Sequence, residues 1–360
     1  MSNEKGTYSR RDFLKTAGAI GVGSMLSPVE SITNAQESSN PNESPVNVVP
    51  TRPFGKTGVD VSILSLGGAF HYSNLLLMKQ ALDMGVTYWD TSPGYGGGQS
   101  EAGIGKYFEK FPKDREKVFL VTKADIFDPP YMTKSLNQSL ESMNTSIVDL
   151  YFLHGISYPE EADKQIKAWA DETKSEGKIR FFGFSTHSNM EDCLLDAAKL
   201  GWIDGIMLTY NFRVMHSDRM KKAVDDCYRA GIGLTAMKTQ STGWGTKRGP
   251  LNDKERALLN RFEKKGLSTG QAKLKAVWDD DRIASICAHM TNMKYLSENA
   301  SAAMDNKKLS DLDIDYLKDY ARKTASSYCA GCKHICEPFL DGKVPVSDVM
   351  RYLMYSRCYG

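Results

Sequence analysis

The sequence carries almost no excess charge of either sign. Its 360 residues include 46 Lys and Arg against 44 Asp and Glu, which gives a formal net charge of +2. Proteins that bind nucleic acids or anionic membranes through electrostatics concentrate basic residues on one face. The balance found here therefore gives no indication of a nucleic acid or membrane-surface partner.

Long apolar runs are also missing. A membrane-spanning helix needs roughly 20 consecutive, mostly apolar residues. The longest candidate, residues 17–26, is much shorter than that. We therefore expect no transmembrane anchor, while an apolar fraction of 41% is sufficient for a full hydrophobic core.

The short apolar run belongs to a targeting segment. Residues 9–15 read SRRDFLK, and a weakly apolar, glycine-containing run follows. This pattern is typical of a twin-arginine export signal, rather than of two surface arginines before a short helix. We expect residues 1–35 to be the signal peptide, residues 36–50 to be a flexible linker, and the protein to be exported by the twin-arginine machinery to the bacterial periplasm or cell envelope.

Cysteine is scarce until the end of the chain. Of the seven Cys, three stand singly in apolar runs, where small buried hydrophobic residues are the expected interpretation: Cys193, Cys227 and Cys287. The other four lie after residue 328. They are considered below as a group.

From residue 61 onward, short apolar runs alternate with segments of helical periodicity. Alternation of this kind predicts repeated βα units and a parallel sheet. We predict strands near residues 62–66, 86–90, 118–122, 148–153, 179–185, 204–210, 233–238 and 283–288. Eight such units predict an α/β protein with a (β/α)₈ TIM barrel over residues 51–308, followed by a helical, cysteine-rich extension over residues 309–360.

Four polar side chains follow three successive strands of this barrel. Asp90 and Tyr95 come after the strand at 86–90, Lys123 after the next, and His154 after the third. A lysine that closes an apolar strand is costly to bury without a partner, and Asp90 is the candidate. A phenol beside that ammonium group would lose its proton more easily, so we expect Tyr95 to have a lowered pKa and to act as a general acid.

At these residues the sequence resembles the aldo-keto reductase family. The resemblance extends to residues 52–58 (RPFGKTG), residues 65–68 (SLGG) and the pair Glu298 and Asn299. It implies that a carbonyl is reduced, or an alcohol oxidised, by hydride transfer to or from NADP(H). The catalytic residues would be Asp90, Tyr95, Lys123 and His154. The substrate would be a small carbonyl or alcohol, with a sugar among the candidates.

The same resemblance implies cofactor-binding roles for Ser185, Thr186, Asn211, Lys238, Glu298 and Asn299. The chain departs from the family pattern at Thr186, at Met207, at Met237 and over residues 289–292. Two sources of electrons therefore stay open. One is a dinucleotide that is bound before export, and the other is a route that does not use a nicotinamide. Lys238 could face a cofactor phosphate, face an anionic substrate, or pair with a carboxylate at the barrel rim.

The tail carries the remaining cysteines at close spacing. Cys329, Cys332 and Cys336 stand at C-x₂-C-x₃-C before Pro338, which resembles a bacterial ferredoxin motif for a [4Fe-4S] cluster. Cys358 is the predicted fourth ligand. Zinc, with His334 as another possible ligand, and disulfides are alternatives. A cluster would also imply a redox partner.

The function predicted from the sequence is therefore that of an exported oxidoreductase of aldo-keto reductase type. Two alternatives stay open. One is a barrel without catalysis that serves as a binding or accessory subunit in the cell envelope. The other is a cluster-linked redox protein that does not use free NADPH.

Overall fold

Eight parallel strands form a closed barrel in the order β10-β3-β4-β5-β6-β7-β8-β9. The computed structural model describes residues 48–69, 72–240, 253–325, 328–340 and 343–359. Its strands are β1 Thr51–Pro53, β2 Asp60–Ser62, β3 Leu64–Gly67, β4 Tyr88–Asp90, β5 Phe119–Ala124, β6 Val148–Ile156, β7 Ile179–Thr186, β8 Gly205–Thr209, β9 Gly233–Met237 and β10 Ser285–Ala288. The predicted (β/α)₈ barrel is confirmed.

Helices follow the strands around the barrel. They are α1 Leu75–Asp83, α2 Gln99–Lys110, α3 Pro129–Ser142, α4 Lys164–Ser175, α5 Met190–Leu200, α6 Asp218–Arg229, α7 Asp253–Glu263, α8 Thr269–Trp278, α9 Met293–Met304, α10 Asp311–Lys323, α11 Lys333–Cys336 and α12 Val346–Tyr359. Gly266, with φ +73°, lies between α7 and α8. The predicted signal peptide, and all but the last three residues of the predicted linker, lie outside the described residues.

A short antiparallel hairpin, β1 and β2, precedes the barrel. Its turn carries Phe54, whose ring is fully buried. A Cβ atom added to Gly205 or Gly233, the first residues of β8 and β9, would lie 2.8 Å and 2.5 Å from that ring. The ring therefore closes the amino-terminal end of the barrel. The sequence predicted one strand over 62–66, whereas the structure divides this segment between β2 and β3.

Alternation along the strands separates the two sides of the sheet. In β6, Leu150 and Phe152 join the cluster inside the barrel, whereas Tyr151 and Leu153 pack against the helices. Successive side chains of a strand point to opposite faces, so every second residue faces the interior. The same period continues to the carboxyl end of each strand, where the polar residues lie.

A buried lysine of the C-terminal extension contacts the barrel. Lys333 Nζ donates to Tyr158 Oη at 3.1 Å, lies 4.2 Å from the centroid of that ring, and is 3.3 Å from Asp348 Oδ2. The backbone of the extension also contacts the barrel, because Asn189 N donates to Gly331 O at 2.9 Å. Within the described ranges, no helix combines the length and apolarity that a membrane crossing requires.

Candidate active site

Period-two alternation carries three polar side chains into the barrel. Phe119 and Val121 belong to the interior cluster, and Lys123 is the next residue of β5 on that face. Asp90 follows Tyr88 in the same way on β4. His154 follows Phe152 on β6. Because β4, β5 and β6 are neighbours, their carboxyl ends bring these three side chains together.

Lys123 and Asp90 form a buried ion pair. The ammonium Nζ lies 2.5 Å from Asp90 Oδ1 and donates to Thr91 O at 2.6 Å. Only 1% of the Lys123 side chain and 3% of the Asp90 side chain are exposed. Burial lowers the pKa of Lys123, but the Asp90 carboxylate, with smaller contributions from Tyr95 and Cys287, offsets this effect and the net shift is upward. The lysine therefore carries a fixed positive charge inside the barrel.

Tyr95 reaches the same charge from a turn after β4. The turn Tyr95–Gly98 contains three glycines at positive φ, a conformation that favours glycine. The centroid of the Tyr95 ring lies 4.8 Å from Lys123 Nζ. Burial raises the pKa of Tyr95 to about 12, and Lys123 opposes that rise. Lys123 therefore lowers the pKa of the phenol as expected, but desolvation outweighs this contribution and the net shift is upward.

His154 connects Tyr95 to a carboxylate that the sequence reasoning missed. Its Nε2 lies 3.4 Å from Tyr95 Oη, and its Nδ1 lies 2.5 Å from Asp125 Oδ1. Ser92 Oγ is 3.3 Å from the same Nδ1. The hydrogen bond from His154 holds the pKa of Asp125 below its usual range, although burial opposes this shift. Asp125 stands two residues after Lys123, in the loop that leaves β5.

Cys287 also faces this group from β10. Its Sγ would lie 3.0 Å from a Cβ atom added to Gly67. Burial raises the pKa of the thiol, and the Asp90 carboxylate adds to that rise. The side chain therefore carries a neutral thiol next to the ion pair. Cys287 is only partly buried, whereas Cys193 and Cys227 are buried as expected.

Four predicted cofactor residues lie at the carboxyl ends of the adjacent strands β7, β8 and β9. Ser185 Oγ accepts the Gly155 N–H at 2.9 Å, and Thr186 Oγ1 donates to Ser188 O at 3.0 Å. The Asn211 amide donates to Lys238 O at 3.2 Å and to Tyr328 Oη at 3.1 Å. The Thr186 hydroxyl and the Asn211 amide thus bond to neighbouring groups at the rim of the barrel. Through Tyr328, the extension contacts this rim.

Lys238 adopts φ +55°, the left-handed region that is uncommon for residues other than glycine. Two residues later, Gln240 Nε2 donates to Asn299 Oδ1 at 3.4 Å. Asn299 is buried on α9, whereas the neighbouring Glu298 side chain is 40% exposed. The backbone carbonyl of Glu298 accepts from Gln271 at 2.8 Å. Hydrogen bonds therefore link Asn211 to Lys238, and Gln240 to Asn299, at this end of the barrel. The sequence reasoning did not identify Gln240, and the cofactor roles stay a prediction.

The predicted metal ligands lie in the extension. Cys329, Cys332 and Cys336 are free thiols, and Cys329 Sγ donates to Ser347 O at 3.7 Å. Throughout the part of the chain that the structure describes, no three His, Cys, Asp or Glu side chains are grouped so that they could hold a metal ion. The Cys358 side chain lies outside the described residues. The described thiols alone do not fit a metal site, and the four-cysteine cluster stays a prediction.

The sequence of the barrel places the chain in an oxidoreductase family. Residues 71–322 match the model of the Aldo/keto reductase family, so the chain belongs to that family. It is 30% identical over 313 residues to the NADP(+) aldo-keto reductase yakc of Schizosaccharomyces pombe, covering 76% of this chain and 88% of that protein. It is 24% identical over 297 residues to L-galactose dehydrogenase of Arabidopsis thaliana, covering 73% of this chain and 92% of that protein.

Solved structures share the fold. Aldo-keto reductase AKR11C1 from Bacillus halodurans superimposes with a TM-score of 0.62 at 20% identity, covering 76% of this chain and 96% of that chain. At this identity the likeness shows the fold alone. The sequence family and the shared barrel thus agree with each other.

Proposed function

We propose that the protein reduces a carbonyl group, or oxidises the corresponding alcohol, with Tyr95 as the proton donor or acceptor. The observation that carries this proposal is the buried ammonium of Lys123, held by Asp90 and lying 4.8 Å from the Tyr95 ring. A phenol whose pKa is about 12 is protonated at neutral pH, which is the state a proton donor requires. Lys123 stabilises the phenolate that remains after the proton has left.

The cofactor of this proposal is NADP(H), which supplies or accepts the hydride when bound. The side chains of the rim fit such a dinucleotide by their chemistry. Ser185 accepts a backbone N–H and can still donate its own hydroxyl proton to a carboxamide oxygen. Lys238 offers a cation for a phosphate, and Asn299 offers a buried amide. Thr186 and Asn211 would act by holding the rim in place.

The substrate class of this proposal is a small aldehyde, ketone or alcohol, including sugars. The supporting names are those of the relatives, which include L-galactose dehydrogenase and the L-glyceraldehyde 3-phosphate reductase of Escherichia coli. The two names refer to a sugar and to a small sugar phosphate. Purified protein should therefore be tested first with a panel of aldoses, short aldehydes and their alcohols.

The test combines nucleotide binding with turnover. NADPH and NADH are titrated against the wild-type protein by nucleotide fluorescence, and oxidation of the bound nucleotide is then followed with the carbonyl panel. We expect binding, turnover of at least one carbonyl, and loss of turnover in Tyr95→Phe. Binding without turnover in the wild type would favour the accessory subunit, and absence of both would refute the oxidoreductase proposal.

For the extension we propose a [4Fe-4S] cluster held by Cys329, Cys332, Cys336 and Cys358, with zinc as the alternative. The support is the spacing of the cysteines, and no catalytic step is assigned to the metal. Metal and sulfide analysis of protein purified without oxygen separates the two. Iron with sulfide supports the cluster, zinc supports the alternative, and a protein without metal contradicts both.

We also propose export by the twin-arginine route to the periplasm or cell envelope. The support is the SRRDFLK segment at residues 9–15. The substitution of Lys for both Arg10 and Arg11 should keep the protein in the cytoplasm. Fractionation of cells that express the two forms measures this outcome, and equal export of both would contradict it.

A further inference from the structure

The shortest side-chain hydrogen bond of His154 joins it to Asp125. Its Oδ1 lies 2.5 Å from Nδ1, on the side of the ring opposite to the nitrogen that faces Tyr95. The His154 side chain is 21% exposed and that of Asp125 is 45% exposed. The two rings of His154 and Tyr95 meet edge to face with their centroids 5.6 Å apart. A chain of contacts therefore runs from Asp125 through His154 to the phenol.

The chemistry of the imidazole determines which atom donates in each of these hydrogen bonds. A carboxylate can only accept a hydrogen bond, so His154 Nδ1 must carry the proton that it shares with Asp125. In the neutral ring, Nε2 then holds a lone pair and accepts from the Tyr95 hydroxyl. Ser92 Oγ, at 3.3 Å from Nδ1, lies on the same side as the carboxylate and does not compete for Nε2.

We propose that Asp125 is a positioning residue that fixes the tautomer and the orientation of His154, so that Nε2 serves Tyr95. This inference rests on the proposed carbonyl chemistry. When Tyr95 gives its proton to the carbonyl oxygen, a phenolate remains. A solvent proton then reaches that phenolate through His154 Nε2, while the other ring proton stays on Nδ1 and keeps its hydrogen bond to Asp125. Each turnover consumes one hydride, which bound NADPH would supply, and one solvent proton, and both leave in the alcohol, so the cycle balances.

The surroundings leave Asp125 as the group that can select the tautomer. Among the described residues, the titratable and charged groups near His154 and Asp125 include Tyr95 from the turn after β4, Lys123 from β5, Tyr151 from β6, Glu101 from α2 and His187 from the loop after β7. Lys123 is a donor that is already bonded to Asp90 and Thr91. Burial lowers the pKa of His187, which keeps that ring neutral.

The direct test is the nitrogen chemical shifts of the His154 ring, measured by NMR on ¹⁵N-labelled protein and assigned with His154→Gln. We expect the Nδ1–H form in the wild type. In Asp125→Asn the side-chain amide can donate to Nδ1, which favours the Nε2–H form, as in a Ser-His-Asp triad whose Asp is replaced by Asn. Asp128→Asn is the matched control, because Asp128 caps α3 from the same loop and Asn also caps helices.

The kinetic arm uses the same variants with NADPH and a reducible carbonyl. We expect Asp125→Asn to lower kcat on the order of 10- to 100-fold with little change in KM, which is less than the roughly 10²- to 10⁴-fold loss expected when a general acid or base is removed. An unchanged tautomer in Asp125→Asn, or a changed tautomer with unchanged kcat, would overturn the inference. If the wild type turns over no carbonyl but the tautomer shifts, the positioning of His154 stands and the proposed function fails.

Discussion

Replacement of Lys123 by Met tests how the buried ion pair and the phenol depend on each other. The variant keeps the length of the side chain but removes its charge, so the Asp90 carboxylate remains buried without its ammonium partner. Loss of one partner of a buried pair costs about 3–5 kcal/mol. We therefore expect the free energy of unfolding of Lys123→Met to fall by about that amount, measured by urea denaturation.

The same variant should raise the pKa of the Tyr95 phenol. With an effective dielectric constant of about 20 and the distance of 4.8 Å from Lys123 Nζ to the ring centroid, the attraction between ammonium and phenolate is about 3.5 kcal/mol. That energy corresponds to a phenol that is roughly 400-fold less acidic. Single-turnover rates of the wild type and Lys123→Met with one carbonyl substrate, with Tyr95→Phe as the reference, measure the effect on proton donation.

The double variant Asp90→Asn, Lys123→Met separates stability from chemistry. Replacement of both members of a buried pair by neutral side chains is often close to neutral for stability, so most of the lost free energy should return. Turnover should not return, because the phenolate still lacks its cation. The reasoning is refuted if the single variant is as stable as the wild type, or if the double variant recovers turnover.

Three other predictions test the scaffold. Phe54→Ala should lower the free energy of unfolding by about 3–5 kcal/mol, because it leaves a cavity at the amino-terminal end of the barrel. Phe339→Ala, at an 87% exposed position, should change it by less than about 0.5 kcal/mol. Equal losses in urea denaturation would contradict this. Burial lowers the pKa of His216 to about 4, so the unfolded chain binds more protons than the folded protein between about pH 4 and 6.5. The free energy of unfolding should therefore rise with pH in this range, and His216→Gln should flatten the rise. An unchanged slope would show that His216 does not cause it. Lys333→Met removes the hydrogen bond to Tyr158, worth roughly 1.5–3 kcal/mol, and should speed amide exchange across the extension but not in the barrel strands; unchanged exchange in the extension would show that Lys333 does not hold it.

Much of the barrel follows from local patterns in the sequence. Strands of alternating or continuous apolar residues, separated by helical segments, predict the eight βα units. The interior positions of Lys123 and His154 follow from the same alternation, since each is two residues beyond a large apolar residue of the barrel cluster. These features depend on the period of a strand, and a period can be read from sequence alone.

Other features of the site depend on distant parts of the chain. The Asn211 amide is bonded to Tyr328, which is 117 residues away, so its donors could not be counted from its own segment. Asp125 lies beyond the end of β5, where alternation no longer determines direction. The pKa of Tyr95 rises because the closed barrel removes water from the phenol, and the extent of that burial is a property of the whole fold.

The most direct test of the central claim is single-turnover oxidation of NADPH by the wild type and by Tyr95→Phe, with the same carbonyl substrate at saturation. The account predicts that the rate of the variant falls by about 10²- to 10⁴-fold while its affinity for NADPH stays the same. Equal rates in the two proteins would contradict the role of the Tyr95 phenol.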